Sequence, residues 1–328
     1  MKLATLKNPI KFQNRDNRMT VQHTSKHFPP LLVLFFGILV VSTSSIFIRF
    51  AQVEAASIVI AAYRLTLASL ILIPLALRGH RGELRRLNRQ QVVLIVLSGG
   101  FLALHFAAWI TSLELTTVAS SAVLVTTTPL WVALFSPLFL HERPSRVAAI
   151  GLLIALAGGT LVAMSETCGV EAGRMVCPPL GDFFQGESMF GNLLALLGAL
   201  MAAAYMMAGR RLRPTMSLLV YITTVYGTAA VILLALALLS GEPLVGFSPG
   251  VYAAFLALAV GPQLLGHTSF NYGLRFLPAA FVSVALLGEP IGTTILALII
   301  LKETPTTLEV VGGMIILAGI FLASRGQK

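Results

Sequence analysis

The sequence predicts an all-α integral membrane protein whose ten transmembrane helices form two inverted five-helix repeats. Three observations carry that expectation: a composition too apolar for a water-soluble fold, ten apolar stretches of spanning length, and a pattern of Gly, Pro and Glu that the chain writes twice. Hydrophobic residues make up 56% of the 328 and charged residues 11%, whereas a soluble domain is about a quarter charged. The mean hydropathy is +0.87. The net charge of +10 does not point to nucleic acid, because Lys and Arg lie in short segments between apolar runs and not on a basic soluble module.

Residues 1–30 are polar and basic (Lys2, Lys7, Lys11, Arg15, Arg18, Lys26) and end at Pro29-Pro30. They are expected to form a disordered cytoplasmic tail. Since about 20 apolar residues cross a bilayer as helix, spans are expected at 31–50, 56–77, 91–112, 116–139 and 147–165, and again at 189–208, 216–239, 249–272, 277–300 and 306–324. The first repeat then covers 31–165 and the second 189–324, joined by an outer loop at 166–188 and followed by a short cytoplasmic tail at 325–328. With the N-terminus inside, 19 of the 23 Lys and Arg fall in the tails and the loops of one face, leaving Arg49, Arg64, Arg174 and Lys302 for spans or outer loops. Positive charge concentrates on the cytoplasmic side, so both termini are expected there in a multi-pass protein of the cell membrane. Cys168 and Cys177 would face an oxidising compartment, where their spacing permits a disulfide without requiring one.

Pro129, Glu142, Pro144, Gly151 and Gly158 recur as Pro290, Glu303, Pro305, Gly312 and Gly319, all at the one displacement that carries position 129 onto position 290. Each Gly and Pro constrains the backbone, so matched sets are hard to obtain by accident. Five spans separate equivalent positions, and an odd number reverses direction through the bilayer. Inverted repeats of this kind recur in secondary transporters, whose two halves exchange conformations around a central site.

Certain segments resemble the EamA type of the drug/metabolite transporter superfamily: YRLTLASLILIPL at 63–75, TTVASSAVLVTTTPLWVALF at 116–135, HERPS at 141–145, and LPAAFVSVALLGEPIGTTILALIILKETPT at 277–306. The resemblance covers about 31–324 and implies ten helices in two repeats, with export or uptake of small metabolites, commonly amino acids and related compounds. Two departures argue against a symmetric binding site. Glu289-Pro290 has Thr128-Pro129 as its equivalent, and Arg64 is expected to match Gly227 after a two-residue shift.

Ionisable side chains inside a span are costly unless they face a cavity or a partner. Arg64 lies deep in the second span, placed either to clamp a substrate carboxylate or to hold its helix to a neighbour. Arg49, near the end of the first span, is expected to snorkel. Gln263, His267 and Asn271 follow at i, i+4 and i+8, on one helical face. His105 and Trp109 form a matching pair in the third span, with Trp109 either a stacking surface or an interfacial residue. Each histidine is either a proton carrier or a neutral group bonded to backbone. Glu289 precedes Pro290, where the helix is expected to bend, and suits proton coupling, an amine, or a structural role through an ion pair with Arg64 or a hydrogen bond to the eighth span. Tyr63 and Tyr205 complete the expected cavity. Glu142 and Glu303 are assigned to turns, and the small residues at 148, 151, 155 and 158 to close helix packing within the chain or in a homodimer.

No GxxxxGK[ST], HExxH, GxSxG or zinc-spaced Cys/His set is present. The expected protein is no enzyme and needs no cofactor. It is a secondary transporter, with export favoured, for a small polar metabolite such as an amino acid, with Arg64, His105, Trp109, Gln263, His267, Asn271 and Glu289 at the site and a proton as coupling partner. An intramembrane enzyme would instead show a close His–Glu pair, and a sensor or scaffold a collapsed cavity.

Overall fold

A computed structural model describes residues 28–143, 145–164, 168–171, 174–176 and 186–325. Most of the expected tail and Cys177 lie outside these residues. Among the described residues, eight helical spans are long and apolar enough to cross a membrane: Pro30–Gln52, Ser57–Gly79, Arg89–Leu115, Val118–Phe139, Glu187–Leu212, Leu218–Leu239, Pro249–Phe276 and Ala279–Leu301. The apolar helices Arg146–Met164 and Thr307–Arg325 complete the ten, as spans 5 and 10 in chain order. The other eight are spans 1–4 and 6–9. Spans 5 and 6 are joined through a small antiparallel hairpin, Gly169–Glu171 with Arg174–Val176, and Cys168 before it is disulfide-bonded.

Local chemistry sets where helices start and break. Asn88 and Gln91 form a reciprocal capping box at the head of span 3, and the Ser217 hydroxyl accepts from Val220 N–H to cap span 7. Span 4 breaks between Val118–Val125 and Thr128–Phe139, where Pro129 opens the second half. Span 9 breaks at the 3₁₀ turn Leu286–Gly288, and Glu289–Leu296 resumes with Pro290 in its first turn. Proline fits a first turn because its missing N–H would be unpaired there anyway. Where the sequence expects a bend, the structure has this 3₁₀ turn before Glu289, and the break before Thr128 is its counterpart in the first repeat.

The packing obeys a two-fold exchange of the repeats. Spans 2 and 7, 4 and 9, and 5 and 10 pack against each other, each pair mapping onto itself, while the 1–8 pair maps onto the 3–6 pair. Spans 5 and 10 show the sense of the exchange: Gly151 lies against Gly319 and Gly158 against Gly312. That crossed pairing requires antiparallel helices, so the repeats are inverted and the small-residue stripe is used within the chain. His141 and Lys302, equivalent under the repeat, share a left-handed backbone at φ 60° and 61°, ending spans 4 and 9 alike. The helix-start residues Ala56 and Ser217 keep the same displacement. Arg64 is therefore matched by Val225, and the expected two-residue shift to Gly227 is corrected.

Two features break the symmetry. Span 1 is interrupted at Ser42–Thr43 whereas span 6 is continuous, and span 8 is π-helical over Ala259–His267 around Pro262 whereas span 3 is regular. Both irregularities touch the centre of the bundle.

Candidate functional site

A cavity with about 40 Å³ of room lies at the centre, lined from spans 3, 4, 6, 8 and 9 by residues that include His105, Trp109, Thr126, Thr128, Tyr205, His267, Asn271 and Glu289. Water needs at least about 10–15 Å³ measured this way. The space therefore suits about three waters and is too small for a metabolite in this conformation.

Glu289 is 8% exposed and reaches the cavity from the first turn after the break in span 9. Neighbours hold its backbone: Ser42 Oγ donates to Glu289 O at 3.3 Å, and Thr293 Oγ1 donates to Ser42 O at 3.1 Å. The carboxylate has no ion pair among the described residues, where the one salt bridge joins Arg210 to Glu142. Of the alternatives the sequence leaves open for Glu289, the ion pair with Arg64 is not made.

Arg64 is fully buried. Its Nε donates to Gln263 Oε1 and its Nη1 to Ser44 Oγ, both at 2.8 Å, while its guanidinium carbon lies 4.2 Å from the centre of the Phe106 ring and 6.0 Å from that of Trp109. Neither Arg64 nor Gln263 lines the cavity; both stand one layer behind His105 and Trp109. The π-helical winding takes Gln263 off the face shared by His267 and Asn271, so the expected three-residue stripe splits. Four buried nitrogens around the Phe106 ring lack a hydrogen-bond partner among the described residues: Arg64 Nη2, Gln263 Nε2, Trp109 Nε1 and His267 Nδ1. Buried polar atoms are nearly always satisfied by protein, water or ligand.

His105 Nδ1 lies 2.9 Å from Gly198 O. A carbonyl only accepts, so Nδ1 donates, leaving Nε2 as the atom able to take or release a proton. Trp109 is 2% exposed and stacks on His105 at 5.9 Å, in the interior and not in an interfacial belt. Asn271 Nδ2 donates to the hydroxyls of Tyr205 and Tyr226. Thr126 and Thr128 line the cavity but donate their hydroxyls to carbonyls of the preceding turn, healing the break. Tyr63 does not join the set: it stacks on Phe255 and donates to Leu244 O at the end of its span.

The scaffold repeats, but the polar groups do not. Gln263, His267 and Asn271 have Leu102, Phe106 and Ile110 as their counterparts in the first repeat, and Arg64 has Val225 in the second. One polar cluster is thus built across a symmetric frame. Ser44, Phe106 and Tyr226 belong to it and are absent from the set the sequence suggests. The run Ser42-Thr43-Ser44-Ser45 inside the first apolar stretch is the signal that could have revealed the first of them.

The EamA-like transporter family matches residues 28–164 and again 189–325, with both ends of the match displaced by the repeat interval. The chain belongs to the EamA-like transporter family. Among relatives of this EamA protein, an "Uncharacterized transporter" of Archaeoglobus fulgidus is 26% identical over 298 residues, covering 90% of this chain and 97% of the relative. "Uncharacterized transporter YdfC" of Bacillus subtilis is 25% identical, covering 80% and 79%. A solved structure titled "Crystal structure of protein" shares the fold, with a TM-score of 0.68 over 91% of this chain and 97% of the other at 22% identity. Family and relatives indicate a transporter, with a small-molecule substrate and a bilayer around a multi-pass EamA bundle.

Proposed function

We propose that this chain is a secondary transporter that exports a small polar metabolite carrying an amine and a carboxylate, such as an amino acid, by alternating access. One observation carries the reading. The central cavity is lined by Glu289, a carboxylate with no ion pair among the described residues, and by Trp109 and His267, and behind these two, around Phe106, lie Arg64 and Gln263, so that four buried nitrogens near the cavity have no hydrogen-bond partner among the described residues. A substrate amine would lie against Glu289, and its carboxylate would take the Arg64 fork and the Trp109 N–H once the cavity widens. Rocking of the two halves about spans 4 and 9, each already broken beside the cavity, would supply that widening. Both termini would face the cytoplasm by the distribution of Lys and Arg. His105, with Nε2 free to exchange a proton, would serve coupling.

The test is counterflow of a radiolabelled amino-acid panel in proteoliposomes. At least one amino acid should exchange through the parent protein, and Glu289→Gln and Arg64→Ala should each cut that exchange tenfold or more at normal yield. Exchange unchanged in both variants would remove the site assignment.

A further inference from the structure

Each face of the bundle carries an Arg and a Glu related by the repeat, and one of the two pairs is made. Arg210 Nε donates to Glu142 Oε1 at 2.8 Å, and Arg210 Nη1 donates to Leu274 O at 3.0 Å. Those bonds tie together the ends of spans 4, 6 and 8 at the face where the chain enters span 1. The repeat relates Arg210 to Arg49 and Glu142 to Glu303, which places the equivalent pair at the opposite face. Glu303 follows left-handed Lys302 as Glu142 follows left-handed His141, so equivalent turns hold the two acids. The second half of span 1, which carries Arg49, packs against the end of span 9, which leads into Glu303.

That second pair is open. Arg49 Nη2 donates to Thr116 O at 3.0 Å, and its Nε is buried without a partner among the described residues. Glu303 makes no ion pair among the described residues and lines a vestibule with about 540 Å³ of room.

Two crevices beside the broken helices show the same imbalance independently. One is lined by Thr126, Pro129, Leu130, Leu152 and Ala155 and has about 20 Å³ of room. The other is lined by their counterparts Leu287, Pro290, Ile291, Gly313 and Ile316 and has about 260 Å³. Sites made equivalent by the repeat thus differ more than tenfold. The wide crevice shares Thr294, Pro305 and Glu309 with the vestibule that holds Glu303.

We propose that Glu142–Arg210 and Arg49–Glu303 are alternating latches: the first holds one face shut while the second is open, and exchange of the two repeat conformations breaks the first and makes the second. The proposal rests on the two-sided access described above, but its readout needs no substrate. An ion pair at a partly exposed site biases such an equilibrium about two- to fivefold.

The test uses the full chain in nanodiscs, where both faces meet solvent, with one reporter cysteine at either of two equivalent positions, Thr294→Cys or Ala133→Cys. Labelling by a charged maleimide is measured against the parent without a reporter. Thr294→Cys should react at least tenfold faster than Ala133→Cys. Glu142→Gln should narrow that ratio two- to fivefold, and Glu303→Gln, which removes the rival latch, should widen it. Exchanging the charges with Glu142→Arg and Arg210→Glu together should restore the parent ratio, which a variant that had merely lost its fold would not do. The proposal is overturned if Glu142→Gln leaves the ratio unchanged, or if Glu142→Gln and Glu303→Gln move it in the same direction.

Discussion

Arg64 and Gln263 hydrogen-bond at 2.8 Å across 199 residues of chain, joining span 2 of the first repeat to span 8 of the second. Both side chains are fully buried, so the bond fixes a charge where water does not reach it. Gln263→Leu puts in place the residue that stands at the equivalent position 102, so the shape is one the scaffold accepts. It leaves Arg64 Nε without an acceptor, at a cost of about 1–3 kcal/mol. The variant should melt at a lower temperature in detergent, while Gln263→Glu should recover the loss. A Gln263→Leu protein as heat-stable as the parent would show that the bond does not hold Arg64 in place.

Lysine is not a substitute for Arg64. The guanidinium uses Nε towards Gln263 and Nη1 towards Ser44 while its face lies on Phe106. An ammonium is a point charge without that planar fork. Arg64→Lys should therefore keep expression but lose tenfold or more of the amino-acid exchange of the parent in proteoliposomes. Full exchange with Lys would mean that charge alone is required there.

Much of this frame is legible in the sequence because it rests on residues whose constraints are local. Pro129 and Pro290 announce the breaks in spans 4 and 9, and the glycines at 151, 158, 312 and 319 announce a close helix contact, though not that its partners are spans 5 and 10. The partners of the polar groups are less legible. An α-helical period puts Gln263 on a stripe with His267, and the π-helical winding around Pro262 turns it to Arg64 instead. Ser44 looks like one hydroxyl among four until the break in span 1 aims it at Arg64. Glu142 reads as a turn residue from its neighbour Pro144, and nothing local to it names Arg210, 68 residues on.

Glu54 gives a pH dependence outside the spans. It accepts from Ser248 N–H at 2.7 Å at the head of span 8, which holds its carboxyl below the usual value of 4.5. A lowered folded-state value means that the contribution to stability is complete above the unfolded value and is lost as pH falls through the folded one. Parent and Glu54→Gln should therefore differ in melting temperature at pH 7, and the difference should shrink as the pH falls below the unfolded value of about 4.3 and close only below the folded one. A difference as large at about pH 2 as at pH 7 would assign the effect to something other than the carboxylate.

The crossing of spans 5 and 10 makes the sharpest stability prediction, because two glycines of one helix pair should respond to the same change with opposite sign. A Cβ on Gly151 would lie 2.5 Å from Ala323 N and 2.6 Å from Gly319 O, both backbone atoms that cannot swing aside. A Cβ on Gly313, on the facing helix, would meet nothing within 4 Å. Alanine in place of glycine inside a helix favours the fold by about 0.5–1 kcal/mol when space allows, whereas forcing an extra carbon into a closed contact costs about 1–3 kcal/mol. Gly313→Ala should thus melt at or above the parent temperature and Gly151→Ala clearly below it. Because Gly312 sits at the equivalent place in the second repeat, Gly312→Ala should resemble Gly151→Ala. Equal melting of Gly151→Ala and Gly313→Ala would mean that the backbones of spans 5 and 10 do not approach each other as closely as the crossed pairing requires.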